Sequence, residues 1–291
     1  MKVLVTGATG FLGNYVIHDL LENGIEVIAT SRNEVKAKTF SWYDKVKFLS
    51  YDINDSEKTN TNLFQYFQSP DNLIHLAWEG LPNYMELFHI EKNLMSNYYF
   101  LKSMIDGGLR DVTVTGTCFE YGMQTGCLKE AMPSDPQNPY AIAKDSLRRF
   151  ISVLNAQEQF SFKWIRLFYM YGNGQSEKSL FTQLEKAVEN GDKEFKMSGG
   201  EQVRDFLSVE EVVTNIRKIA MINSNLGIIN CSSGKPQTVK SFVENYLLNR
   251  KSNLKLILGY YPYPNYEQME FWGDASKLKS IIESTEVKAL S

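Results

Sequence analysis

Short apolar runs alternate with stretches of helical periodicity through the first half of the chain. The runs cover residues Lys2–Thr6, Ile25–Thr30, Val46–Tyr51, Leu73–Ala77 and Asp111–Thr115. A short continuous apolar run is typical of a strand that is buried on both faces. A helix fits between neighbouring runs, and the first of these helices, Leu12–Glu22, is ended by Asn23-Gly24. The alternation predicts an α/β fold with a doubly wound parallel sheet.

The second half of the chain departs from this rhythm. A long amphipathic helix is predicted over Tyr140–Leu154, with Asn138-Pro139 before it and a strand over Lys163–Phe168 after it. Helices are then predicted near Leu180–Val188 and Val209–Met221. We assign residues 1–166 and about 205–232 to a nucleotide-binding domain of the Rossmann type. Residues of about 167–204 and 233–291 are assigned to a smaller α/β lobe that binds substrate.

Charge and cysteine content narrow the classes of protein. The 31 basic and 34 acidic residues give a net charge of -3, so no broad cationic field is present to attract nucleic acid or an anionic membrane. The cysteines, Cys118, Cys127 and Cys231, lack metal-ligand spacing, and we predict no metal site. The first residues do not have the layout of a signal peptide or the length of a membrane span. We therefore expect a cytoplasmic protein.

A turn with three glycines, Gly7-Ala-Thr-Gly-Phe-Leu-Gly13, falls between the first predicted strand and the first predicted helix. Glycines at this position let the backbone approach a pyrophosphate at the positive end of the helix. This pattern is typical of dinucleotide binding. We expect cofactor contacts from these residues of the turn: Gly7, Thr9, Gly10, Phe11, Leu12 and Gly13.

The end of the second predicted strand reads Ser31-Arg32, where an acidic residue ordinarily binds the adenosine ribose. A serine and an arginine favour a phosphate, which predicts NADPH as the cofactor. The alternative is that Arg32 is a solvated charge and that NADH is used. By position at strand ends, Asp52-Ile53 is expected to meet the adenine, and Leu76-Ala77 to line the cofactor passage.

Tyr140 and Lys144 lie four residues apart on a predicted helix and therefore on one face of it. Beside a nicotinamide, the phenol would give a proton to a carbonyl oxygen, and the ammonium would hold the nicotinamide ribose and lower the pKa of the phenol. Thr117, at the carboxyl edge of the predicted sheet, would orient the carbonyl by a hydrogen bond. We predict Thr117, Tyr140 and Lys144 as the catalytic residues.

These motifs together resemble the extended short-chain dehydrogenase/reductases that act on nucleotide sugars. The resemblance covers nearly the whole chain, including His75-Leu-Ala77, Tyr121-Gly122, Arg166–Gly172, Arg204-Asp-Phe206 and Asn230–Pro236. It implies a nucleotide diphosphate sugar as substrate. Asn93 resembles the asparagine of the family that lies near the catalytic lysine and the cofactor. Tyr169 stands where the family usually has an asparagine, so that substrate contact does not transfer.

The residues after Thr117 separate the activities within the family. Sugar 4,6-dehydratases have an aspartate and a glutamate there, whereas this chain has Cys118 and Phe119, which argues against dehydration. The segments around Trp78 and Thr117 look most like reductases of dTDP- or CDP-linked 4-keto-6-deoxyhexoses, which make 6-deoxysugars for bacterial surface polysaccharides. The alternatives are a nucleotide-sugar 4-epimerase with tightly held NAD and a non-catalytic NADP-binding sensor.

Arg204 is the candidate ligand of the substrate pyrophosphate, because a guanidinium matches two phosphate oxygens. The alternative is an ion pair with a neighbouring carboxylate. Trp78, Glu79 and Glu120 are expected to line the sugar pocket. By similarity to the family's dimers, the helices around Asn93 and Tyr140 are expected to pair in a homodimer.

Overall fold

The computed structural model of the protein describes residues 1–57, 61–263 and 268–290, with side chains up to residue 284. Its first strands are β1 (Lys2–Thr6), β2 (Glu26–Thr30), β3 (Lys47–Phe48), β4 (Asn72–His75), β5 (Asp111–Thr117), β6 (Gly126–Leu128) and β7 (Ser161–Leu167). The later strands are β8 (Tyr169–Tyr171), β9 (Glu194–Lys196), β10 (Val203–Arg204), β11 (Phe206–Ser208), β12 (Gly227–Cys231), β13 (Gln237–Thr238), β14 (Lys255–Ile257) and β15 (Phe271–Gly273).

The helices connect these strands in the rhythm of a βα fold. They are α1 (Phe11–Glu22), α2 (Glu34–Ala37), α3 (Leu63–Tyr66), α4 (Met95–Asp106), α5 (Pro139–Glu158), α6 (Leu180–Glu189), α7 (Val209–Ala220), α8 (Val239–Asn249) and α9 (Ser276–Leu290). A π-helix over His89–Leu94 leads into α4, and a short 3-10 helix over Cys118–Tyr121 follows β5. Residues 260–266, Tyr-Tyr-Pro-Tyr-Pro-Asn-Tyr, form an aromatic stretch whose prolines predict a loop. Tyr260–Tyr263 is irregular as predicted, and residues 264–266 lie outside the described residues.

The central sheet has seven strands in the order β12-β7-β5-β4-β1-β2-β3, and all its neighbouring pairs are parallel. Side chains alternate across it, so Val3 and Val5 pack with α1 and α7 on one face, while Leu4 packs with α4 and α5 on the other. The predicted doubly wound α/β fold is therefore confirmed. The strand order reverses between β1 and β4, which opens a crevice at their carboxyl ends.

Some predicted elements differ from the observed ones. The third strand is two residues long, not Val46–Tyr51, and it lies at the edge of the sheet, where it pairs only with β2. The fourth strand ends at His75, so Leu76 and Ala77 lie beyond the sheet. On α5, Ile142 and Phe150 belong to the predicted apolar stripe but are exposed by 37% and 40%.

A separate core lies between α6, α8, β9 and β14, where Leu184 and Val243 are fully buried. It falls within the residues assigned to the substrate lobe. The C-terminal helix α9 does not join it, because Leu278 packs in the core of the central sheet. The division into two domains stays a proposal. Helix α9 belongs with the central sheet and not with the substrate lobe, because Leu278 packs there.

Candidate functional site

The glycine turn lies at the point where the strand order reverses. Gly7 has φ +69°, and a Cβ there would lie 2.9 Å from the Ala77 backbone nitrogen. A Cβ on Gly13 would lie 2.2 Å from the Gly7 carbonyl oxygen, so α1 approaches the turn as closely as glycine allows. Gly10 caps α1 without a side-chain hydrogen bond, which leaves the first N–H groups of the helix facing the crevice.

A buried hydrogen-bond relay holds this turn against β4. The Thr6 hydroxyl accepts from the backbone N–H groups of Leu76 (3.1 Å) and Ala77 (3.2 Å), and it contacts His75 Nδ1 at 3.0 Å. His75 Nε2 lies 2.8 Å from Asn97 Oδ1. Burial lowers the pKa of His75 to about 3, so the ring is neutral and Nε2–H donates to Asn97. His75 therefore has a structural role.

All the predicted cofactor residues line the crevice. They are Gly7, Thr9, Gly10, Phe11, Leu12, Gly13, Ser31, Arg32, Asp52, Ile53, Leu76, Ala77, Asn93, Tyr140 and Lys144. The hydroxyl oxygens of Thr30 and Ser31 are buried without a hydrogen-bond partner among the described residues. Buried hydroxyls of this kind are normally satisfied. The uncapped helix, the bare glycines and these two hydroxyls fit a dinucleotide, although the contacts themselves stay predictions.

Tyr140 and Lys144 lie on the first turns of α5, which begins where the Asn138 side chain accepts from the Ala141 N–H. The Lys144 ammonium donates to the Thr115 carbonyl at 2.9 Å and lies 4.1 Å from the centre of the Trp78 ring. Thr117 ends β5 close enough to Tyr140 that its side chain lowers the pKa of the phenol. The structure thus brings the three predicted catalytic residues together at the carboxyl edge of the sheet.

The pKa of Tyr140 does not move in the direction predicted from Lys144. Burial raises the pKa of the phenol above its ordinary value of 10, and nearby Tyr84 and Glu120 raise it further, while the Thr117 hydrogen bond acts in the opposite direction. Burial also lowers the pKa of Lys144 to about 7, so this amine is only partly charged near neutrality. The phenol is therefore protonated, which is the form that donates a proton.

Because Lys144 is buried and its pKa is lowered, we expect the free energy of unfolding of the protein to depend on pH. Above pH 7 the folded chain has lost the proton that an unfolded lysine keeps up to about 10.5, so the contribution of Lys144 to stability rises over that window. We expect Lys144→Met to be more stable than the unchanged protein at pH 6 and the gain to shrink towards pH 10. Thermal melts of both proteins across this range, with Lys36→Met as the exposed control, measure it. A gain that stayed constant with pH would contradict the assignment.

Two further residues that the sequence did not single out for this site surround Tyr140. The Tyr84 carbonyl accepts from the Tyr140 N–H at 3.1 Å, and the two rings lie 5.4 Å apart. The His89 ring lies 5.4 Å from the Tyr140 ring and accepts a hydrogen bond from Trp78 Nε1 at 3.0 Å. Both belong to the segment after β4, whose irregular path has no periodicity from which its contacts could be predicted.

The predicted substrate residues lie in different parts of the structure. Trp78 and Arg204 line the large cleft between the sheet and the second core. The Arg204 guanidinium is buried 4.3 Å from the centre of the Phe271 ring and donates to the carbonyls of Val203 and Met269. The predicted role of Arg204 on a pyrophosphate remains untested.

The structure does not place Glu120 in the sugar pocket, as was predicted from the sequence. Its side chain is fully buried behind β5, outside the cleft, where Oε2 accepts from Arg166 Nε at 2.7 Å. Its Oε1 accepts from the Thr117 backbone N–H and from Trp164 Nε1, both at 2.9 Å. The sequence around Glu120 does not indicate on which side of β5 its side chain lies. Glu120 therefore holds the backbone at Thr117.

Glu79 was also predicted in the sugar pocket, but its carboxylate lies in the part of the crevice that Ser31, Arg32 and Asp52 line. There it pairs with Arg32 Nη1 at 2.8 Å. The sequence interpretation of Arg32 as a phosphate ligand did not include this partner.

The main cleft has a volume of about 1170 Å³ and runs from the glycine turn past Tyr140 to Arg204. Among the described residues that line it, none is a carboxylate, whereas five are basic: Lys36, Lys144, Lys178, Lys196 and Arg204. The searched part of the chain contains no cluster of metal-ligating side chains. In the same described residues, no helix combines the length and apolar character needed to span a membrane.

Comparisons with known proteins agree with this geometry. The family model of the NAD dependent epimerase/dehydratase family matches residues 3–231. The dTDP-6-deoxy-L-talose 4-dehydrogenase (NAD(+)) of Aggregatibacter actinomycetemcomitans is 30% identical over 274 residues, which cover 94% of this chain and 99% of that protein.

Solved structures show the same fold. UDP-glucose 4-epimerase of Thermotoga maritima, solved with UDP-glucose, has a TM-score of 0.81 at 21% identity and covers 100% of both chains. UDP-glucuronic acid 4-epimerase of Bacillus cereus, solved in complex with NAD, has a TM-score of 0.80 at 22% identity and covers 97% of this chain and 92% of its own. The chain belongs to the NAD dependent epimerase/dehydratase family, whose matched model spans the glycine turn, Thr117, Tyr140 and Lys144.

Proposed function

We propose that this protein reduces the C4 ketone of a dTDP- or CDP-linked 4-keto-6-deoxyhexose, with NADPH preferred over NADH as the reductant. The observation that carries the proposal is the continuous cleft from the glycine turn past Tyr140 to Arg204, lined by basic side chains without a carboxylate among its described residues. The whole chain has a net charge of -3, so the basic side chains of this cleft are a local feature, and such a group attracts anionic ligands. Two phosphorylated ligands that meet at Tyr140 fit this arrangement.

The protonated state of Tyr140 supports a reaction in which this residue is the proton donor. A bound reduced nicotinamide supplies hydride to the ketone carbon. Tyr140, kept protonated by burial, donates its proton to the resulting alkoxide oxygen. Thr117 orients that oxygen by a hydrogen bond, and Lys144 holds the nicotinamide ribose from its position on the Thr115 carbonyl. Arg204 binds the substrate pyrophosphate from the far end of the cleft.

The surroundings of Tyr140 favour a 6-deoxy sugar. Leu81, Pro82, Tyr84 and Phe119 line the cleft beside it, and the rings of Tyr84 and Phe119 meet at 5.2 Å. Such a surface suits a methyl group better than a hydroxymethyl group, which would lose hydrogen bonds to water. Phe119 also occupies a position at which a dehydratase of the resembled family has an acid, so elimination of water lacks its proton-transfer group.

The names of the relatives leave one rival. The Aggregatibacter relative is named as a 4-dehydrogenase of a dTDP-linked 6-deoxyhexose, which is the reverse of the proposed reduction. The two solved structures are 4-epimerases, a class that recycles the hydride and keeps its cofactor. Arg32 supports the reductase, because an arginine after the second strand favours the phosphate of NADPH. A reductase exchanges NADPH in each turnover, whereas an epimerase keeps its cofactor.

The test is incubation of the protein with NADPH and dTDP-4-keto-6-deoxyglucose, or with its CDP-linked counterpart. We expect loss of the reduced-nicotinamide absorbance in proportion to the sugar, with a 6-deoxyhexose identified by NMR. Isomerisation of a nucleotide sugar without cofactor loss would establish the epimerase instead. Binding of cofactor without any sugar reaction would leave only the sensor.

The homodimer is also part of the proposal. Ile142, Phe150 and Val153 form an exposed apolar face on α5, with Val153 exposed by 62%. A two-fold axis across this helix would cover that face. A monomeric mass by light scattering would contradict it.

A further inference from the structure

Glu79 places a carboxylate at the adenosine end of the crevice, in a pocket that Thr9, Ser31 and Arg32 also line. Parallel-sheet dinucleotide folds ordinarily have an acidic residue at the end of the second strand that binds the ribose 2′-hydroxyl. In this chain that strand ends in Thr30-Ser31-Arg32 and carries no acid. The missing carboxylate is instead present on the segment that follows β4, the neighbour of β1 on the other side.

Four contacts fix Glu79 in this place. Its Oε1 pairs with Arg32 Nη1 at 2.8 Å, and its Oε2 pairs with Lys92 Nζ at 3.2 Å. Asn54 Nδ2 donates to Oε2 at 3.4 Å, and Asn93 Nδ2 donates to the Glu79 backbone carbonyl at 2.9 Å. The side chain is therefore held by residues that follow the second and third strands and by Lys92 of the π-helix, with its carboxylate directed at Arg32.

The two cofactors make opposite demands on this arrangement. A ribose 2′-hydroxyl donates to a carboxylate, so NADH binds while the pair of Arg32 and Glu79 stays intact. A 2′-phosphate needs Arg32 for itself and meets the negative charge of Glu79, which costs free energy through like-charge repulsion. Hydrogen bonds from Arg32 and Lys92 lower the pKa of Glu79, so it is ionised at neutral pH.

We propose that Glu79 is a specificity-determining residue, which binds the adenosine ribose 2′-hydroxyl and limits the preference for a 2′-phosphate that Arg32 provides. The inference rests on the proposed function only in that the chain binds a nicotinamide dinucleotide. It makes Arg32 and Glu79 opposing determinants, so that the unchanged protein accepts both cofactors. Lys92, half exposed and on the other carboxylate oxygen, keeps Glu79 in place when Arg32 turns to a phosphate.

The experiment is calorimetric titration of NAD⁺ and NADP⁺ into the unchanged protein and into Glu79→Gln. We expect the ratio of the two dissociation constants to shift about 10-fold towards NADP⁺ in Glu79→Gln, which corresponds to about 1.4 kcal/mol. Arg32→Gln should shift the ratio in the other direction. Glu86→Gln removes the same charge from the exposed part of the same segment, outside the pocket, and should leave the ratio unchanged.

The outcomes separate this inference from the proposed function. If the ratio changes by less than twofold in Glu79→Gln, or equally in Glu86→Gln, the role of Glu79 is wrong. If the ratio shifts as expected but no ketosugar is reduced, Glu79 keeps its role and the proposed reductase activity fails. If neither dinucleotide binds the unchanged protein, both are wrong.

Discussion

Tyr140→Phe is expected to lower kcat for ketosugar reduction by about 10²-fold or more, because the substitution removes the proton donor without changing the ring. Burial keeps this phenol protonated. The ring contacts with Tyr84 and His89 do not depend on the hydroxyl. Dissociation constants for NAD⁺ and NADP⁺ should therefore change by less than about threefold. Steady-state kinetics and calorimetry on the same preparation measure both quantities.

Tyr98→Phe is the matched control for Tyr140→Phe. Tyr98 is a partly buried tyrosine on α4, it packs against Phe150, and it does not line the cleft. The same loss of one hydroxyl should leave kcat unchanged there. Retained turnover in Tyr140→Phe would remove the phenol from the role of proton donor, and an equal loss in both variants would point to a general effect on the fold.

The sheet was predictable because its strands are buried on both faces. Residues 3–6 and 112–115 are unbroken runs of valine, leucine and threonine, and all of them lie in observed strands. The third strand was over-predicted, since only Lys47 and Phe48 pair with β2. Helix α5 extends beyond the predicted Leu154 to Glu158, because its last turn is polar and gives no apolar period.

The position of the site followed from one topological rule. Residues at or shortly after the carboxyl ends of the strands of a parallel sheet meet at one edge. This brought Gly7, Ser31, Asp52, Leu76 and Thr117 to the crevice or directly behind it. The rule gives the edge and not the direction of each side chain.

The ionic partners of the charged residues could not be predicted from the sequence. Glu79 and Glu120 were predicted together in the sugar pocket, yet one reaches Arg32 and the other is buried against Arg166. A charge is ambiguous in a pattern of apolar and polar positions, because its partner is set by three-dimensional distance. The predicted fall in the pKa of Tyr140 was wrong for a related reason, since the spacing of Tyr140 and Lys144 carries no information on burial.

Glu120→Gln is expected to destabilise the fold by about 3–5 kcal/mol, because it leaves the guanidinium of Arg166 buried without its counter-charge. Urea unfolding measures the loss. Arg166→Met in the Glu120→Gln background should recover part of it, since the uncompensated charge is then gone. A loss below about 1 kcal/mol would show that Arg166 finds another partner.

Asp111→Asn distinguishes a structural role of Glu120 from a positioning role. Asp111 pairs with the fully buried Lys163 at the amino ends of β5 and β7, the opposite edge of the sheet from Tyr140. Both variants should lose stability, but only Glu120→Gln should lower kcat at a temperature where both are folded. The reason is that Glu120 accepts from the Thr117 N–H, so a weaker hold there displaces the hydroxyl that orients the ketone. An equal loss of kcat in both would reduce Glu120 to a stabilising residue, with Thr117 positioned by β5 alone.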